Sequence, residues 1–260
     1  MLELPERSRK PRKSGLTAMI DFGPDAFGWT GPQGVADLLK CAAEYIDFAK
    51  IYALNALLLP AEVVAGIVRQ YRDAHILPYS GGILFEYALR RNELDSLAPF
   101  LRRLGFPALE ISENYIELSE DDRGRAIERF QREGFTVIYE FGRKNPERTM
   151  EVGELRSVVK WAADRGVDHV IVEQSEIDAL DKAAPGALSR ARGESWFQAV
   201  LIEADPYRFP QQHARMLGDY GHEVSLANIA AGQVLRLEGL RRGIGRAVDY
   251  ALLRRGANES

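Results

Sequence analysis

The chain has 260 residues, of which 46% are hydrophobic, and its formal charge is −4. This composition excludes a disordered or fibrous protein, and the interspersed charges argue against a nucleic-acid-binding surface. No stretch approaches the roughly 20 apolar residues of a membrane span, and the first residues lack the apolar core of a signal peptide. We therefore expect a cytoplasmic protein with no nucleic-acid or membrane partner.

Two local features bear on the organisation of the chain. The single cysteine, Cys41, excludes an internal disulfide, and its amphipathic surroundings predict a buried structural thiol. The basic run "RSRKPRK" at 7–13 precedes the first apolar segment. It predicts an extension over 1–14 that is solvated or packs on a partner, with a phosphate-binding arm as the alternative. We expect a short tail at 257–260.

Eight β-rich runs recur along the chain, each separated from the next by about 30 residues, as in βαβ units. In chain order they are "LTAMID", "YIDFAKIY", "ILPYSGG", "ALEIS", "TVIYEFG", "HVIVEQS", "AVLIEAD" and "EVSLANI". The intervening segments, such as "AEVVAGIVRQYRDA", have the apolar spacing of amphipathic helices. Ser119 is a predicted helix start, and four glycines are predicted left-handed helix ends: Gly105, Gly134, Gly166 and Gly221.

This alternation, without a linker, predicts a single-domain α/β fold, a (β/α)₈ TIM barrel over 15–256. An open doubly wound sheet is the alternative. It is less favoured because no Gly-x-Gly-x-x-Gly motif follows the first strand.

The active site of such a barrel lies where the strands end. The eight runs end at Asp21, Lys50, Tyr79, Glu110, Glu140, Glu173, Glu203 and Asn228. Five of these residues are carboxylates, which repel one another at a shared mouth unless cations compensate them. We therefore expect Lys50, Arg143 and Lys144 beside them, together with a hard divalent ion such as Mg²⁺.

Two further features point to an anionic ligand. Gly81 and Gly82 lie between a strand and a helix, where backbone N–H groups can approach an oxyanion, although paired glycines also make simple turns. Arg241 and Arg242 follow the eighth strand, in the part of a barrel that often binds phosphate. A solvated helix face is the alternative for these arginines.

Nine short motifs between Lys10 and Arg246 together carry a family resemblance. They are "KPRKSGLT", "YIDFAK", "YSGGILFEYAL", "LEIS", "EFGRKNPE", "VIVE", "LIEA", "NIA" and "LEGLRRG". In order and spacing they resemble the phosphosulfolactate synthase family, in which a (β/α)₈ barrel joins sulfite to phosphoenolpyruvate with magnesium during coenzyme M biosynthesis.

The resemblance implies a magnesium-dependent carbon–sulfur lyase that acts on a small anionic substrate and forms a homo-oligomer. It implies metal ligands at Asp21, Glu110, Glu173 and Glu203, and catalytic residues at Lys50, Lys144 and Glu140. Lys50 or Lys144 would return a proton, provided that its pKa is lowered. The implied substrate-binding residues are Tyr79, Gly81, Gly82, Ser112, Arg143, Asn228 and Arg241.

Several positions depart from the family pattern. Phe22 replaces a lysine, the apolar stretch Ile51–Leu54 replaces a polar loop, and Arg143 replaces another lysine. Arginine binds anions but does not readily donate a proton near neutral pH. Two alternatives to the family reaction follow. One is a divergent barrel lyase that uses the same metal and enolate chemistry on another anionic or more apolar substrate, and the other is a non-enzymatic relative, like plant members associated with heat tolerance.

Overall fold

A closed barrel of eight parallel strands forms the centre of the computed structural model, which describes residues 2–254. The strands are β1 (Thr17–Asp21), β2 (Phe48–Ile51), β3 (Leu77–Ser80), β4 (Ala108–Ser112), β5 (Thr136–Phe141), β6 (Val170–Val172), β7 (Val200–Glu203) and β8 (Leu226–Ala230). Because β1 pairs in parallel with both β2 and β8, the sheet has no open edge. The (β/α)₈ prediction is confirmed, and the open doubly wound sheet is excluded.

Helices surround the strands and bury their apolar faces against them. Those of eight or more residues are α1 (Pro32–Ala42), α2 (Ala61–Asp73), α3 (Gly82–Arg90), α4 (Leu94–Leu104), α5 (Glu120–Arg132), α6 (Val152–Ala163), α7 (Gln174–Ala183), α8 (Gln211–Tyr220) and α9 (Val234–Arg241). In α2, for example, Val64, Ile67, Val68 and Tyr71 recur on one face and are buried, as expected of an amphipathic helix. A two-strand ladder, Pro24–Asp25 with Gly28–Trp29, projects from the loop after β1.

The predicted helix boundaries agree with the structure with one exception. The Ser119 hydroxyl accepts a hydrogen bond from the Asp122 N–H at 3.1 Å, which caps α5. Gly105 ends α4 in the left-handed region with φ +82°, and Gly134 and Gly166 also have positive φ. Gly221 has φ +95° but ψ 162°, so the prediction of a left-handed helical end there is wrong.

The barrel interior is divided into an apolar lower layer and a charged upper layer. Alternate residues of a barrel strand point inward, and the inward residues of the lower half form an apolar cluster that we call the floor. Its buried members are Leu16, Ala18, Phe48, Tyr79, Ala108, Ile138, Ile171, Leu201 and Ala227. The outward-facing residues pack against the helices in a second, larger core. The floor therefore separates the upper part of the barrel from its lower end.

The basic segment at 7–13 lies across the lower end of the barrel. Arg7 forms ion pairs with Glu223 and Glu238, and Arg12 approaches Asp47 at 3.2 Å. The Arg7 and Arg12 side chains are only 5% and 2% exposed. Arg7 and Arg12 thus pack on the chain's own barrel, contrary to the expected solvated segment, whereas Arg9, Pro11 and Lys13 are exposed as expected.

Three other predictions concern Cys41, the C-terminal tail and membrane-spanning segments. Cys41 is exposed on α1, so the prediction of a buried thiol is wrong. The predicted tail at 257–260 and residues 255 and 256 lie outside the described residues. Among residues 2–254, none of the helices combines the length and apolar character needed to cross a bilayer.

Candidate active site

A ring of charged side chains lies directly above the floor. Each charged member follows an inward-facing floor residue by two positions: Lys50, Glu110, Glu140, Glu173 and Glu203 follow Phe48, Ala108, Ile138, Ile171 and Leu201. The alternation of the strands therefore places all five side chains inside the barrel. They are buried, with relative exposures between 1% and 7%. The predicted convergence of these residues on one mouth is what the structure shows.

Lys50 lies between two carboxylates and an amide. Its Nζ is 2.9 Å from Glu110 Oε2 and 3.3 Å from Glu140 Oε2. The Asn228 Oδ1 atom accepts a longer hydrogen bond from Lys50 at 3.5 Å. The ammonium group of Lys50 thus compensates part of the acidic charge.

Lys144 reaches the other side of the ring from the loop after β5. Its Nζ donates to Glu173 and lies 3.3 Å from Glu203 Oε1. The Lys144 side chain is 32% exposed, whereas the Glu173 and Glu203 side chains are 2% and 6% exposed. Lys144 therefore covers these carboxylates on the solvent side.

Asn228 enters the ring through an irregularity in β8. The pairing register between β1 and β8 shifts here, with one more residue on β8 than on β1, and Asn228 has φ +57°. Such a bulge redirects a side chain. The Asn228 side chain donates to Glu203 Oε1 at 2.5 Å. The strained backbone is thus used to place an amide between Lys50 and Glu203.

The electrostatics of the ring divide its carboxylates into two kinds. Burial raises the pKa of Glu110 to about 8, although the Lys50 ammonium opposes the shift. Burial, together with the Glu140 and Glu173 carboxylates, raises the pKa of Glu203 well above its ordinary value. Burial would also raise the pKa of Glu140, but Lys50 and Lys144 outweigh this effect and lower it.

The two lysines are held in their charged form. Burial alone would lower the pKa of Lys50, but Glu110 and Glu140 raise it well above its ordinary value. The carboxylates of Glu203 and Glu140 likewise raise the pKa of Lys144 against the effect of burial. The lowered lysine pKa on which the predicted proton transfer depends is therefore contradicted.

Three carboxylates form a candidate metal site. One oxygen each from Glu140, Glu173 and Glu203 lies within 4.8 Å of the others. Glu203 Oε2 is buried and has no hydrogen-bond partner among residues 2–254. The raised pKa keeps Glu110 protonated near neutral pH, and the other three carboxylates, when ionised, exceed the two lysine ammonium groups by one negative charge. A divalent cation matches both the donor atoms and this excess.

Asp21, predicted as a metal ligand, lies outside this group. Its carboxylate accepts hydrogen bonds from the Tyr71 hydroxyl at 2.7 Å and from the Gly23 N–H at 2.8 Å. The reason is the alternation of β1, because Ala18 and Ile20 face the barrel interior and Asp21 therefore faces α2. Asp21 fixes the loop after β1 and does not reach the ring.

The glycine pair is used for packing and for holding Glu110. The Gly81 N–H donates to the Ile51 carbonyl at 3.1 Å, and the Gly82 N–H donates to Glu110 Oε1 at 2.7 Å. Neither N–H is available to an oxyanion. A Cβ on Gly82 would lie 2.5 Å from Ser112 Cβ, so the position excludes any larger residue. Glu110, also predicted as a metal ligand, is thus held by a backbone donor outside the three-carboxylate group.

Three other predicted substrate-binding residues occupy different places. Tyr79 is fully buried at the level of the floor, and its hydroxyl has no hydrogen-bond partner within the described residues. Arg143 lies at the rim, 44% exposed, with its Nη2 3.2 Å from Glu117 Oε2. Arg241 donates to the Val224 carbonyl at 2.7 Å, at the lower end of the barrel. This location contradicts a substrate-binding role for Arg241.

Two residues that were not predicted from the sequence, Asn114 and Glu86, support the ring. The Asn114 side chain donates to Glu140 Oε1 at 2.8 Å. Glu86, buried on α3, accepts hydrogen bonds from the Asn114 N–H at 2.8 Å and from the Ser112 hydroxyl. The inward position of Asn114 could have been predicted, because alternate residues of this segment, including Ser112, point into the barrel. Nothing in the sequence pattern predicts that Glu86 contacts Asn114.

Comparison with known proteins gives a family assignment. The model of the (2R)-phospho-3-sulfolactate synthase (ComA) family matches residues 5–246. The chain belongs to the phosphosulfolactate synthase family. A phosphosulfolactate synthase from Methanocaldococcus jannaschii is 33% identical over 238 residues, which cover 88% of this chain and 92% of that protein. One from Methanothermobacter thermautotrophicus is 31% identical and covers 92% of this chain and 93% of that protein. The family resemblance found in the sequence is confirmed, and the relatives are named for an enzymatic activity.

Solved structures with the same fold are distant in sequence. N-acetylneuraminate lyase from Mycoplasma synoviae superposes with a TM-score of 0.52 at 12% identity, over 87% of this chain and 73% of that one. The 3-keto-L-gulonate-6-phosphate decarboxylase from Vibrio cholerae has a TM-score of 0.52 at 11% identity, over 91% of this chain and 98% of that one. These similarities support the barrel fold alone.

Proposed function

We propose that this protein adds sulfite to phosphoenolpyruvate in a Mg²⁺-dependent reaction and releases phosphosulfolactate. The family assignment supports the substrates. The observation that carries the chemistry is the group formed by Glu140, Glu173 and Glu203, whose excess charge and unpaired oxygen suit a hard dication.

The three carboxylates would hold the ion at the bottom of the mouth. Mg²⁺ bound there would stabilise the negative charge that develops on the substrate carboxylate during the addition. Lys144 now occupies the solvent side of Glu173 and Glu203 and is partly exposed. Its flexible side chain can turn toward the mouth and pair with the substrate phosphate or with sulfite, with Arg143 at the rim as a second cation.

The reaction forms one C–S bond and one C–H bond. The sulfur lone pair attacks the methylene carbon of phosphoenolpyruvate, and the π electrons move to the carbon that bears the phosphate. A proton must then be added to that carbon. Lys50 Nζ is a suitable donor, because even an ammonium of raised pKa is far more acidic than a protonated carbanion. Glu110, 2.9 Å away and with a pKa raised to about 8, can return the proton to Lys50.

The test is direct. The protein is incubated with phosphoenolpyruvate, sulfite and Mg²⁺, and phosphosulfolactate is measured by mass spectrometry. We expect product with the native protein, none after chelation of the metal, and a rate reduced by about 100-fold or more in Lys50→Met. Glu93→Gln is the control, since Glu93 is exposed and pairs with Arg91. Absence of product from the metal-loaded native protein contradicts the proposed function.

A further inference from the structure

Two aromatic residues, Phe22 and Tyr52, directly follow the ends of β1 and β2. In β1 the inward residues are Ala18 and Ile20, and in β2 they are Phe48 and Lys50. Phe22 and Tyr52 come directly after the strand ends, at the positions that a continued alternation would direct inward. Each therefore lies one step nearer to solvent than the level of Lys50, where a substrate approaches the ring.

These side chains are part of a continuous aromatic surface. The ring centroids of Phe22 and Tyr52 are 4.8 Å apart, and those of Phe22 and Phe27 are 5.6 Å apart. Tyr207, from the loop after β7, packs edge-on against Phe27 at 4.8 Å. Tyr52 is 44% exposed. The surface is thus packed on one side and open on the other.

Hydrogen bonds between two loops hold the aromatic surface in place. Asp21, buried between Tyr71 and Gly23, fixes the backbone next to Phe22. The Asn55 side chain donates to the Phe22 carbonyl at 2.8 Å. The Tyr52 N–H donates to the Asp21 carbonyl at 3.0 Å. The aromatic pair is therefore positioned by a buried network.

Cations face this surface across the mouth. In a closed barrel of eight strands, the loop after β5 lies opposite the loop after β1. Lys144 and Arg143 belong to the β5 loop, and Phe22 belongs to the β1 loop. A ligand long enough to span the mouth from the β5 loop to the β1 loop would meet a cation at one end and the aromatic pair at the other.

We propose that Phe22 and Tyr52 form an apolar subsite that accepts an apolar substituent on an analogue of phosphoenolpyruvate, in addition to phosphoenolpyruvate itself. This inference deepens the proposed function and rests on it, because it concerns the same site. The occupant is the substituent on the methylene carbon, since the phosphate and carboxylate are drawn to the lysines and the metal site. A flat hydrocarbon group would displace water from the open faces of the two rings.

The test compares two ligands that differ by one phenyl group: phosphoenolpyruvate and its 3-phenyl derivative. Dissociation constants are measured by calorimetry with the Mg²⁺-loaded protein. We expect the phenyl derivative to bind about tenfold more tightly. In Tyr52→Ala and Phe22→Ala this preference should fall to about twofold or less, while the affinity for phosphoenolpyruvate changes little. Tyr87→Ala is the matched control, because Tyr87 is 39% exposed but lies on α3.

Equal affinity for the two ligands, or no binding of the phenyl derivative, overturns the inference. So does a preference that persists in Tyr52→Ala, whose partly exposed side chain can be removed without opening the core. Circular dichroism of each variant verifies the fold. Phosphosulfolactate formation is measured on the same preparations. A preference for the phenyl derivative without any product contradicts the proposed function alone, whereas product formation without the preference contradicts only the subsite.

Discussion

Removal of one carboxylate from the three-carboxylate group should remove most of the stabilisation by Mg²⁺. Glu203→Gln removes one candidate ligand and the excess negative charge of the group, and it keeps the side-chain volume. The amide can still accept the hydrogen bond that Asn228 donates to Glu203 Oε1. The variant therefore changes metal affinity with little change in packing.

The expected size of the effect follows from binding linkage. An ion present at about 100 times its dissociation constant adds about 2.7 kcal/mol to the free energy of unfolding. For a chain of this length, that corresponds to a rise in Tm of about 5–10 °C. A loss of affinity on the order of 100-fold in Glu203→Gln would reduce the gain to about 0.4 kcal/mol. The Tm shift should then be about 1 °C.

The assay is a thermal melt of each protein with Mg²⁺ and after treatment with a chelator. Glu113→Gln is the control, since Glu113 is also buried but pairs with Arg123 and Tyr139 on the outer side of β4. This control should keep the full Mg²⁺ shift even if its Tm is lower. A native protein without a Mg²⁺ shift, or a Glu203→Gln variant with an undiminished one, would refute the assignment of the metal site.

Three other variants test the remaining assignments. Arg241→Met should lower the free energy of unfolding by about 3–5 kcal/mol, because buried carbonyl groups lose a charged donor. Urea denaturation measures the loss, and kcat/KM of the folded fraction should be unchanged if Arg241 has no contact with substrate. Burial lowers the pKa of His213 to about 4, so the unfolded chain takes up a proton at this site before the folded one does. The native protein should therefore lose about 2 kcal/mol more than His213→Phe between about pH 7.5 and about pH 5; equal losses in urea titrations would contradict this. Glu86→Gln should lower kcat about tenfold by loosening Asn114, while the Mg²⁺ shift in Tm is retained; an unchanged kcat would show that Asn114 is held without Glu86.

Strand order and the identity of the ring could be predicted because both depend on short-range patterns. Each β-rich run ends near a polar residue, and parallel strands bring those ends to one side of a barrel. The ring residues could be listed in this way, but the list does not decide whether each side chain points into the barrel or outward toward the helices. Asp21 lies only one position beyond the inward Ile20, and this single step directs its carboxylate to Tyr71. Strict use of the alternation would have excluded Asp21 and included Asn114.

The placement of Arg241 was also within reach of the sequence. A helix that follows a barrel strand runs back toward the lower end, so the last residues of α9 lie far from the mouth. Asn228 is a different case. Its position depends on the register shift in β8 and on a left-handed backbone, and neither has a signature in the residues around it. The exposure of Cys41 could not be predicted either. An amphipathic pattern does not decide whether a residue between the apolar and polar faces of a helix is buried or exposed.

The closed lower end of the barrel has a consequence for the order of events. The floor and the packed basic segment leave the upper opening as the route to the ring within the described residues. An ion coordinated by Glu140, Glu173 and Glu203 lies deeper than a molecule held between Phe22 and Lys144. If Mg²⁺ binds there, as proposed, it would have to enter before the organic substrate, and it would exchange with bulk solution only after the product has departed. Turnover would accordingly follow a compulsory sequence, with the dication remaining in place through successive cycles.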